Sequence, residues 1–312
     1  MTLRLGLIGI GRWGRNYVTT LRQMPGIVLA RAASSNPASA ELVGPGCVLH
    51  RDWREVARAT DLDGVIIATP PRLHAEMAIA ALEAGKAVLV EKPLTMDVAE
   101  AESIRAAARR ADRPVLVEHT QLFNPPFRAL VEASRALGPV RSIRSEAGGQ
   151  GPYRNDVPVL WDWGAHDVAM CLTVLGGEPD SIAVCRSRFE PRPDGAMESL
   201  GLSLRFQGGV VAELRLSNCV DKCRRFVVEH DQAVLLFDDW AEAKLTRHSP
   251  GVAWPEAGDG TPLPWIGERP LTEAIQRFAT ALATGDTESE GVDLGCKVVR
   301  VLARCQQVLV EA

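Results

Sequence analysis

Hydrophobic runs alternate with helix-like segments along the first 120 residues of the chain. Five runs have the length and apolar content of buried strands, and three segments between them have the composition of helices. Such an alternation predicts a parallel sheet covered by helices on both faces. The expected strands are residues 3–9, 27–33, 64–69, 87–91 and 114–119, and the expected helices are 15–24, 72–85 and 97–111. Asp97 is placed to cap the last of these helices.

After residue 120 the strand-like runs follow one another directly, a pattern that predicts an antiparallel sheet. We therefore expect an α/β domain with a parallel sheet at 1–120, followed by an α+β domain with a large open, mainly antiparallel sheet at 121–312. The C-terminal helix is able to pack back on the first domain. A helix is expected at 126–137, with a strand between it and residue 159. The later strands are expected at 181–189, 198–206, 209–218, 224–230 and 233–238, and the later helices at 270–284 and 291–311.

A glycine-rich turn follows the first strand and enters the first helix-like segment. The pattern G-x-G-x-x-G is weak by itself, but between a strand and a helix it is typical of dinucleotide binding. The helix N-terminus then offers N–H groups and a favourable dipole to phosphates. We predict a Rossmann domain that binds NAD(P), with a purely structural turn as the alternative. The residues of this loop are Gly9, Ile10, Gly11, Arg12, Trp13 and Gly14.

The end of the second strand bears on the choice of cofactor. NAD enzymes commonly carry an acid here for the ribose hydroxyls, whereas this chain has Ser34 and Ser35. The absence of an acid removes repulsion toward a 2′-phosphate. No arginine follows immediately to bind that phosphate, although Arg12 could lie nearby. We expect NADP or NAD, with a slight preference for NADP.

The stretch VLWDWGAHDVAM at 159–170 places two acids and a histidine among apolar residues. Asp162 and His166 are four residues apart, so on a helix they share a face. A histidine is suited to acid–base work at neutral pH, and an aspartate can fix its tautomer. Alternatively, Asp162 is an acid near a helix start and His166 bonds to backbone. Asp167 points about 100° away and is expected to be a structural partner.

Further motifs follow strands of the first domain, where open parallel sheets bind ligands. With them the chain resembles the Gfo/Idh/MocA oxidoreductases, which act mostly on sugars, cyclitols and sugar nucleotides. The resemblance covers essentially the whole length, with the motifs in family order. They are GxGxxG at 9–14, TPP-x-x-H at 69–74, EKP at 91–93, FNP at 123–125 and D-x-x-x-H at 162–166.

The resemblance implies roles for individual residues. His166 would be the acid/base, Asp162 would orient it or contact substrate, and Lys92 would face nicotinamide and substrate and stabilise charge or relay a proton. Pro93 would follow a cis peptide bond. Other cofactor contacts would be Thr69, Pro70, His74, Glu91 and Gln121, and substrate contacts would be Asn124, Tyr153 and Arg154. Read without the family, Lys92 is a surface lysine and His74 a helix residue with local hydrogen bonds.

The composition limits the kinds of partner that the protein is expected to bind. The 35 basic and 39 acidic residues give a net charge of −4, which gives no reason to expect nucleic acid or a membrane. The seven cysteines lack paired zinc spacing, so we expect no metal. The chain starts with a strand-like run rather than a signal peptide, and we expect a cytoplasmic protein. An open sheet face favours a homodimer or homotetramer.

The leading hypothesis is an NAD(P)-dependent dehydrogenase or reductase that transfers hydride between nicotinamide and a secondary hydroxyl or keto group. The substrate would be a sugar, cyclitol or sugar nucleotide. Two alternatives stay open: a glycosidase of the same fold that uses tightly held NAD, and a non-catalytic NAD(P)-binding regulator. A panel of polyols followed by nicotinamide absorbance discriminates among the three.

Overall fold

The computed structural model describes residues 2–284 and 290–311. The chain separates into two compact units, one formed by Met1–Thr120 with Arg269–Val299 and the other by Gln121–Glu268 with Arg300–Ala312. Residues 269–299, which the hydrophobic pattern placed in the second domain, therefore belong with the first unit. Close packing explains this, since the Phe278 ring lies against Gly64 and the backbone of Val115 adjoins Gly291.

The first unit contains a parallel sheet, as predicted, with six strands in place of the five expected. Its strand order is β3-β2-β1-β4-β5-β6, so the order reverses between β1 and β4. Ligands of open parallel sheets bind at such a reversal, beside the carboxyl ends of the strands. The strands are β1 Leu3–Ile8, β2 Ile27–Ala33, β3 Val48–His50, β4 Gly64–Ile67, β5 Ala87–Glu91 and β6 Val115–Glu118.

Helices cover this sheet with their apolar sides. Leu7 of β1 and Tyr17 of the first helix are fully buried, and Phe278 joins the same core. Asp97 caps its helix as expected, because its carboxylate accepts from the Glu100 N–H at 2.9 Å. The helices are α1 Gly14–Leu21, α2 Ser39–Val43, α3 Trp53–Ala57, α4 His74–Glu83, α5 Val98–Ala111 and α9 Pro270–Thr284, followed by α10 Glu290–Glu311, whose residues belong to both units.

The second unit contains an eight-stranded sheet of order β14-β13-β12-β11-β7-β10-β9-β8. Neighbouring strands are antiparallel except β7 and β10, which run parallel. Phe127 fills the space between helix and sheet, with its ring 5.6 Å from that of Phe226 and 6.1 Å from that of Phe237. The elements are α6 Pro125–Leu137, β7 Val140–Gln150, α7 Val159–Asp162, α8 Gly164–Leu175, β8 Ser181–Arg192, β9 Gly195–Arg205, β10 Val211–Ser217, β11 Cys219–His230, β12 Val234–Asp238, β13 Leu245–His248 and β14 Thr261–Pro262.

The predicted fold class is thus confirmed, and the differences lie in short elements. β3, β13, β14, α2 and α3 have five residues or fewer and were not expected, because they lack the continuous apolar run that marks short buried strands such as β4. The stretch at 159–170 is not one helix, since α7 ends at Asp162 and α8 begins at Gly164. Short 3₁₀ turns occur at Pro71–Leu73, Thr120–Phe123, Gln207–Gly209 and Ala257–Asp259.

Candidate functional site

The glycine loop has the geometry of a phosphate cradle. Gly9 has φ 96°, and a side chain there would meet the Ala68 carbonyl at 2.6 Å. A Cβ on Gly14 would collide with the Gly9 carbonyl, whereas a Cβ on Gly11 would meet nothing within 4 Å. Packing therefore requires Gly9 and Gly14, while Gly11 borders open space that a pyrophosphate can enter. The loop fits the dinucleotide that its sequence predicts.

A cavity of about 870 Å³ lies at this loop and at the carboxyl ends of β1, β2 and β4. It lies entirely within the first unit and brings eight predicted cofactor contacts together. These are Gly9, Ile10, Gly11, Arg12, Ser34, Ser35, Thr69 and Pro70. Its size is within the range of ligand pockets, about 300–1,000 Å³.

The same cavity includes side chains that sequence reasoning missed. Arg51 and Trp53 follow the three-residue strand β3, and Arg15 and Asn36 flank the predicted positions. Arg51 was missed because β3 was not predicted. A residue is recognised as lying at the end of a strand only when the strand itself has been recognised. The available signal was the short apolar run Val48-Leu49 before His50 and Arg51.

The Glu91-Lys92-Pro93 motif ends β5, and the Lys92–Pro93 peptide bond is cis, as predicted. Lys92 is half-buried. Glu91 is buried and accepts a 2.7 Å hydrogen bond from the Tyr17 hydroxyl and another from the Trp13 indole. Burial raises the pKa of Glu91 to about 7, although these donors and the charge of Lys92 oppose the rise. Trp13 and Glu91 thus contact each other and link the glycine loop to the lysine motif.

Two further buried groups follow on the next strand, and no motif pointed to them. Glu118 is fully buried, and its pKa is raised by burial and by the charge of Glu91. His119 is also buried, and its pKa is lowered to about 3 by burial and by the charge of Lys92. Among the described residues, neither ring nitrogen of His119 has a hydrogen-bond partner. A single sequence shows only that a strand ends here, and it does not show that Glu118 and His119 are buried.

His74 lies at the start of α4 and is fully buried. Its Nε2 is 2.8 Å from the Thr69 carbonyl oxygen, and its Nδ1 is 3.1 Å from that of Pro93 and 3.2 Å from that of Leu94. Burial lowers its pKa, so the ring is neutral and donates through one nitrogen. Only the contact with Thr69 is local in the chain, and the contacts with Pro93 and Leu94 tie the segment after β4 to the segment after β5.

A smaller cavity of about 280 Å³ lies within the second unit, at α7 and the β8–β9 hairpin. Asp162, Trp163 and Arg154 line it, together with Arg186 and Phe189, which the sequence did not suggest. Acidic, basic and aromatic side chains therefore converge on one concave surface. Such a mixture orients a small polar ligand.

Arg154 is held by acids at this cavity. Its guanidinium donates to both carboxylate oxygens of Asp156 at 2.8 and 2.9 Å, and it lies 4.0 Å from an Asp162 oxygen. The hydrogen bond to Asp156 raises the pKa of Arg154. Arg186 similarly donates to the buried Glu198 at 3.0 Å. The two arginines are thus fixed in place and their charges partly neutralised.

His166 lies in the first turn of α8 and is half-buried. The next residue, Asp167, is buried and accepts from the Ser145 hydroxyl and from Arg224, whose Nη1 is 3.1 Å away. Arg224 also lies 5.6 Å from the centroid of the Trp163 ring. The expectation that Asp167 is a structural partner is confirmed. Its ion pair fixes the turn that carries His166.

The remaining predicted contacts lie in the second unit, away from the lining of the 280 Å³ cavity. Asn124 donates to Gln121 and to Asp239, each at 3.1 Å. Tyr153 lies 6.0 Å from the guanidinium of Arg192. Gln121 and Asn124 are buried, so these bonds fix the chain just after β6.

Two classes of site are not found in the part of the chain that the structure describes. Residues 2–284 and 290–311 contain no cluster of three or more His, Cys, Asp or Glu able to hold a metal ion. Over the same ranges, no helix combines the length and the apolar content needed to cross a membrane.

Two models of one protein family match the chain. Residues 3–119 match the oxidoreductase family with an NAD-binding Rossmann fold, and residues 127–235 match the Gfo/Idh/MocA C-terminal domain. The chain belongs to the Gfo/Idh/MocA family of oxidoreductases. The family assigned from five motifs is therefore confirmed, and so is an NAD-binding fold in the first unit.

Family members with known structures or names cover most of the chain. A solved structure of a Magnetospirillum magnetotacticum MS-1 protein is 47% identical, with a TM-score of 0.93 over 98% of this chain and 100% of that one. Inositol 2-dehydrogenase of Rhizobium meliloti strain 1021 is 24% identical over 90% of this chain and 87% of its own length. UDP-N-acetylglucosamine 3-dehydrogenase of Acidithiobacillus ferrooxidans is 29% identical over 70% of this chain and 68% of its own.

Proposed function

We propose that this Gfo/Idh/MocA oxidoreductase is a dehydrogenase or reductase of a secondary hydroxyl or keto group on a polyhydroxylated ring. The supporting observation is the cavity of about 280 Å³ lined by Asp162, Arg154 and Trp163. Carboxylate and guanidinium groups match hydroxyls that both donate and accept, and an aromatic face suits the apolar face of a ring. The named relatives act on inositol and on a sugar nucleotide.

The size of this cavity favours a single ring as the group that is bound. It is slightly smaller than the ~300 Å³ at which pockets for drug-sized ligands begin. A sugar or cyclitol fits that volume, and for a sugar nucleotide only the sugar would occupy it. The arginines there are already paired with acids, so an uncharged polyol needs no displacement of an ion pair.

In this proposal His166 is the acid/base that holds the proton of the substrate hydroxyl, and Asp162 orients it or contacts the substrate. Lys92 stabilises the negative charge that develops on oxygen or relays the proton. When bound, the nicotinamide supplies the hydride chemistry. The buried ion pair of Asp167 and Arg224 supports the role of His166, because it fixes the turn of backbone that carries this side chain.

We also propose NADP over NAD as the preferred cofactor. Ser34, Ser35 and Arg51 line the cavity beyond β2, and none of them repels a phosphate. Arg51 supplies the cation that the sequence did not place there. Arginine binds phosphate bidentately, so it can recognise the 2′-phosphate that distinguishes NADP.

The catalytic assignment is tested by following nicotinamide absorbance with a panel of sugars, cyclitols and nucleotide sugars. Lys92→Ala and His166→Ala should each lower kcat by about 10²-fold or more, the usual contribution of acid–base and charge-stabilising groups. Lys222→Ala is the matched control, since Lys222 is exposed and should keep the full rate. Full activity of both site variants contradicts the assignment. Glycoside cleavage without net reduction supports the glycosidase alternative, and cofactor binding without turnover supports the regulator.

The cofactor assignment is tested by dissociation constants for NADPH and NADH. Arg51→Ala should weaken the binding of NADPH by about 10-fold or more, which is the contribution of a charged hydrogen bond. The affinity for NADH should stay nearly unchanged. Arg58→Ala is the control, because Arg58 is exposed on the chain just after α3. A wild-type preference for NADH overturns the proposal. We further propose a homodimer or homotetramer in the cytoplasm, testable by light scattering and by cell fractionation.

A further inference from the structure

Two glutamates end adjacent strands of the parallel sheet in the first unit. Glu91 is the last residue of β5 and Glu118 the last of β6, and the two are register partners. Neighbouring strands are about 4.8 Å apart, and residues in register place their side chains on the same face of the sheet. The chain therefore holds two carboxyl groups side by side at the edge where the cofactor cavity lies.

Both carboxyl groups are shielded from water. Glu91 is 7% exposed and Glu118 is 0% exposed. Two buried, adjacent carboxylates repel each other and lose their hydration, so such a pair retains a proton. Aspartic acids of this kind share one proton when they act as a catalytic pair.

The hydrogen bonds divide the pair into an accepting and a proton-bearing member. Glu91 accepts from the Tyr17 hydroxyl at 2.7 Å and from the Trp13 indole. Glu118 Oε2 accepts from the Thr120 hydroxyl at 2.7 Å, and Oε1 has no partner among the described residues. A buried oxygen that accepts no hydrogen bond carries a proton more readily than a negative charge, so Oε1 is the site of the proton.

The charged and titratable groups that face the pair come from three elements. Tyr17 belongs to α1, Lys92 follows β5, and His119 follows β6. Burial raises the pKa of Tyr17 well above its usual value, and the pKa of His119 is lowered to about 3. Both keep a constant charge near neutral pH, and the charge of Lys92 favours ionised carboxylates.

We propose that Glu91 and Glu118 share one proton, and that Glu118 is a positioning residue that acts through Glu91 on the glycine loop and on the charge beside Lys92. This deepens the proposed function, because it rests on Lys92 lying beside the nicotinamide. When the pair ionises, an O–H bond of a carboxyl breaks and the proton passes to water. The pair then changes from neutral, with both carboxyls protonated, to a single negative charge, with the one remaining proton shared.

Loss of the first of the two protons makes cofactor binding depend on pH in a specific way. The oxidised nicotinamide ring is a cation and the reduced ring is neutral, while their phosphates are the same. A negative charge gained by the pair therefore favours the oxidised form. Since the pKa of Glu91 is raised to about 7, the change should occur around neutral pH. A purely structural defect would weaken the binding of the oxidised and the reduced cofactor equally.

The proton itself is measured first, on the wild-type protein without cofactor or substrate. Infrared spectroscopy at about pH 8, well above ordinary carboxyl pKa values, should show the C=O stretch of one protonated carboxylic acid. The band should disappear in Glu118→Gln and persist, shifted, in Glu91→Gln. Absence of the band from the wild-type protein overturns the proposal, whether or not the variants fold.

The second measurement is the ratio of dissociation constants for oxidised and reduced cofactor. From about pH 6 to about pH 8 the ratio should fall about threefold in the wild type, the scale of one partly screened charge. In Glu91→Gln the ratio should be flat over this range, because the carboxyl that ionises around neutral pH has been removed. Glu83→Gln, an exposed glutamate at the end of α4, should follow the wild type.

The two measurements separate this inference from the proposed reaction. Titration elsewhere in the protein is common to wild type and variant, so it cancels in the comparison. If the band appears but the ratio falls equally in Glu91→Gln, the pair exists without acting on the cofactor and the positioning role is wrong. If band and ratio behave as expected while no polyol is turned over, the proposed function fails and the proton pair stands.

Discussion

At the scale of single residues, Gly11 and Gly14 are both glycine for opposite reasons. A Cβ on Gly14 would collide with the Gly9 carbonyl, whereas one on Gly11 would meet nothing within 4 Å. Gly14→Ala should therefore destabilise the protein by about 1–3 kcal/mol, as overpacking does. Gly11→Ala should change stability by less than about 0.5 kcal/mol but weaken cofactor binding, because the methyl group occupies the approach of the pyrophosphate. Urea unfolding and cofactor titration check the two effects.

The two variants serve as controls for each other, since each adds one methyl group to the same loop. Normal stability in Gly14→Ala, or normal cofactor affinity in Gly11→Ala, would contradict the corresponding role. The loop could be predicted from the sequence because these roles follow from backbone geometry, which the spacing of glycines reports. His119 and Glu118 could not, since their burial depends on residues far away in the chain.

At the scale of elements, α8 is fastened to the second sheet by one buried ion pair. Asp167 of α8 and Arg224 of β11 are 3.1 Å apart and almost fully buried, and Arg224 also packs against Trp163. Replacing one partner leaves a buried charge alone, so Asp167→Asn should cost about 3–5 kcal/mol. It should also lower kcat more than it raises KM, because the turn that carries His166 shifts.

A double-mutant cycle isolates this interaction. Arg224→Met alone should be about as destabilising as Asp167→Asn, and the double variant should be more stable than the sum of the two predicts. Additive losses would mean that the pair does not act as a unit. Arg188→Met is a suitable control, because Arg188 pairs with Glu190 at the surface and such pairs contribute about 0–1 kcal/mol.

The elements that could be predicted are those long enough to show a period or, like β4, apolar throughout. The strands and helices of the Rossmann sheet and the long strands of the second sheet have this property, and they were predicted from hydrophobic pattern. β3 has three residues, so neither this strand nor the role of the adjoining Arg51 was predicted. The break in the helix at Trp163 was not predicted either, because the residues of α7 and α8 together keep a helical pattern across it. Tertiary contacts decide such features, and a single sequence does not report them.

At the scale of the whole molecule, buried histidines and buried acids give stability opposite dependences on pH. The pKa values of His74 and His119 are lowered from 6.5, so the unfolded chain binds protons first and stability falls as pH drops below about 6.5. The pKa values of Glu91 and Glu118 are raised from 4.5. The folded chain binds those protons first, so stability falls as pH rises above about 4.5.

The two slopes oppose each other between about pH 4.5 and pH 6.5. Since the pKa values of the buried His230 and His248 are lowered as well, the histidines outnumber the glutamates and the free energy of unfolding should rise to a maximum near pH 6.5. Above about pH 6.5 the histidines no longer contribute, Glu91 ionises near pH 7, and Glu118 alone continues the decline at up to about 1.4 kcal/mol per pH unit. Urea unfolding from about pH 5 to about pH 9 measures this, and in Glu118→Gln the alkaline decline should be removed. A decline of equal slope in the variant would mean that Glu118 is already ionised at neutral pH in the folded protein. It would then have to be paired with a cation, against the electrostatics of its buried place beside Glu91.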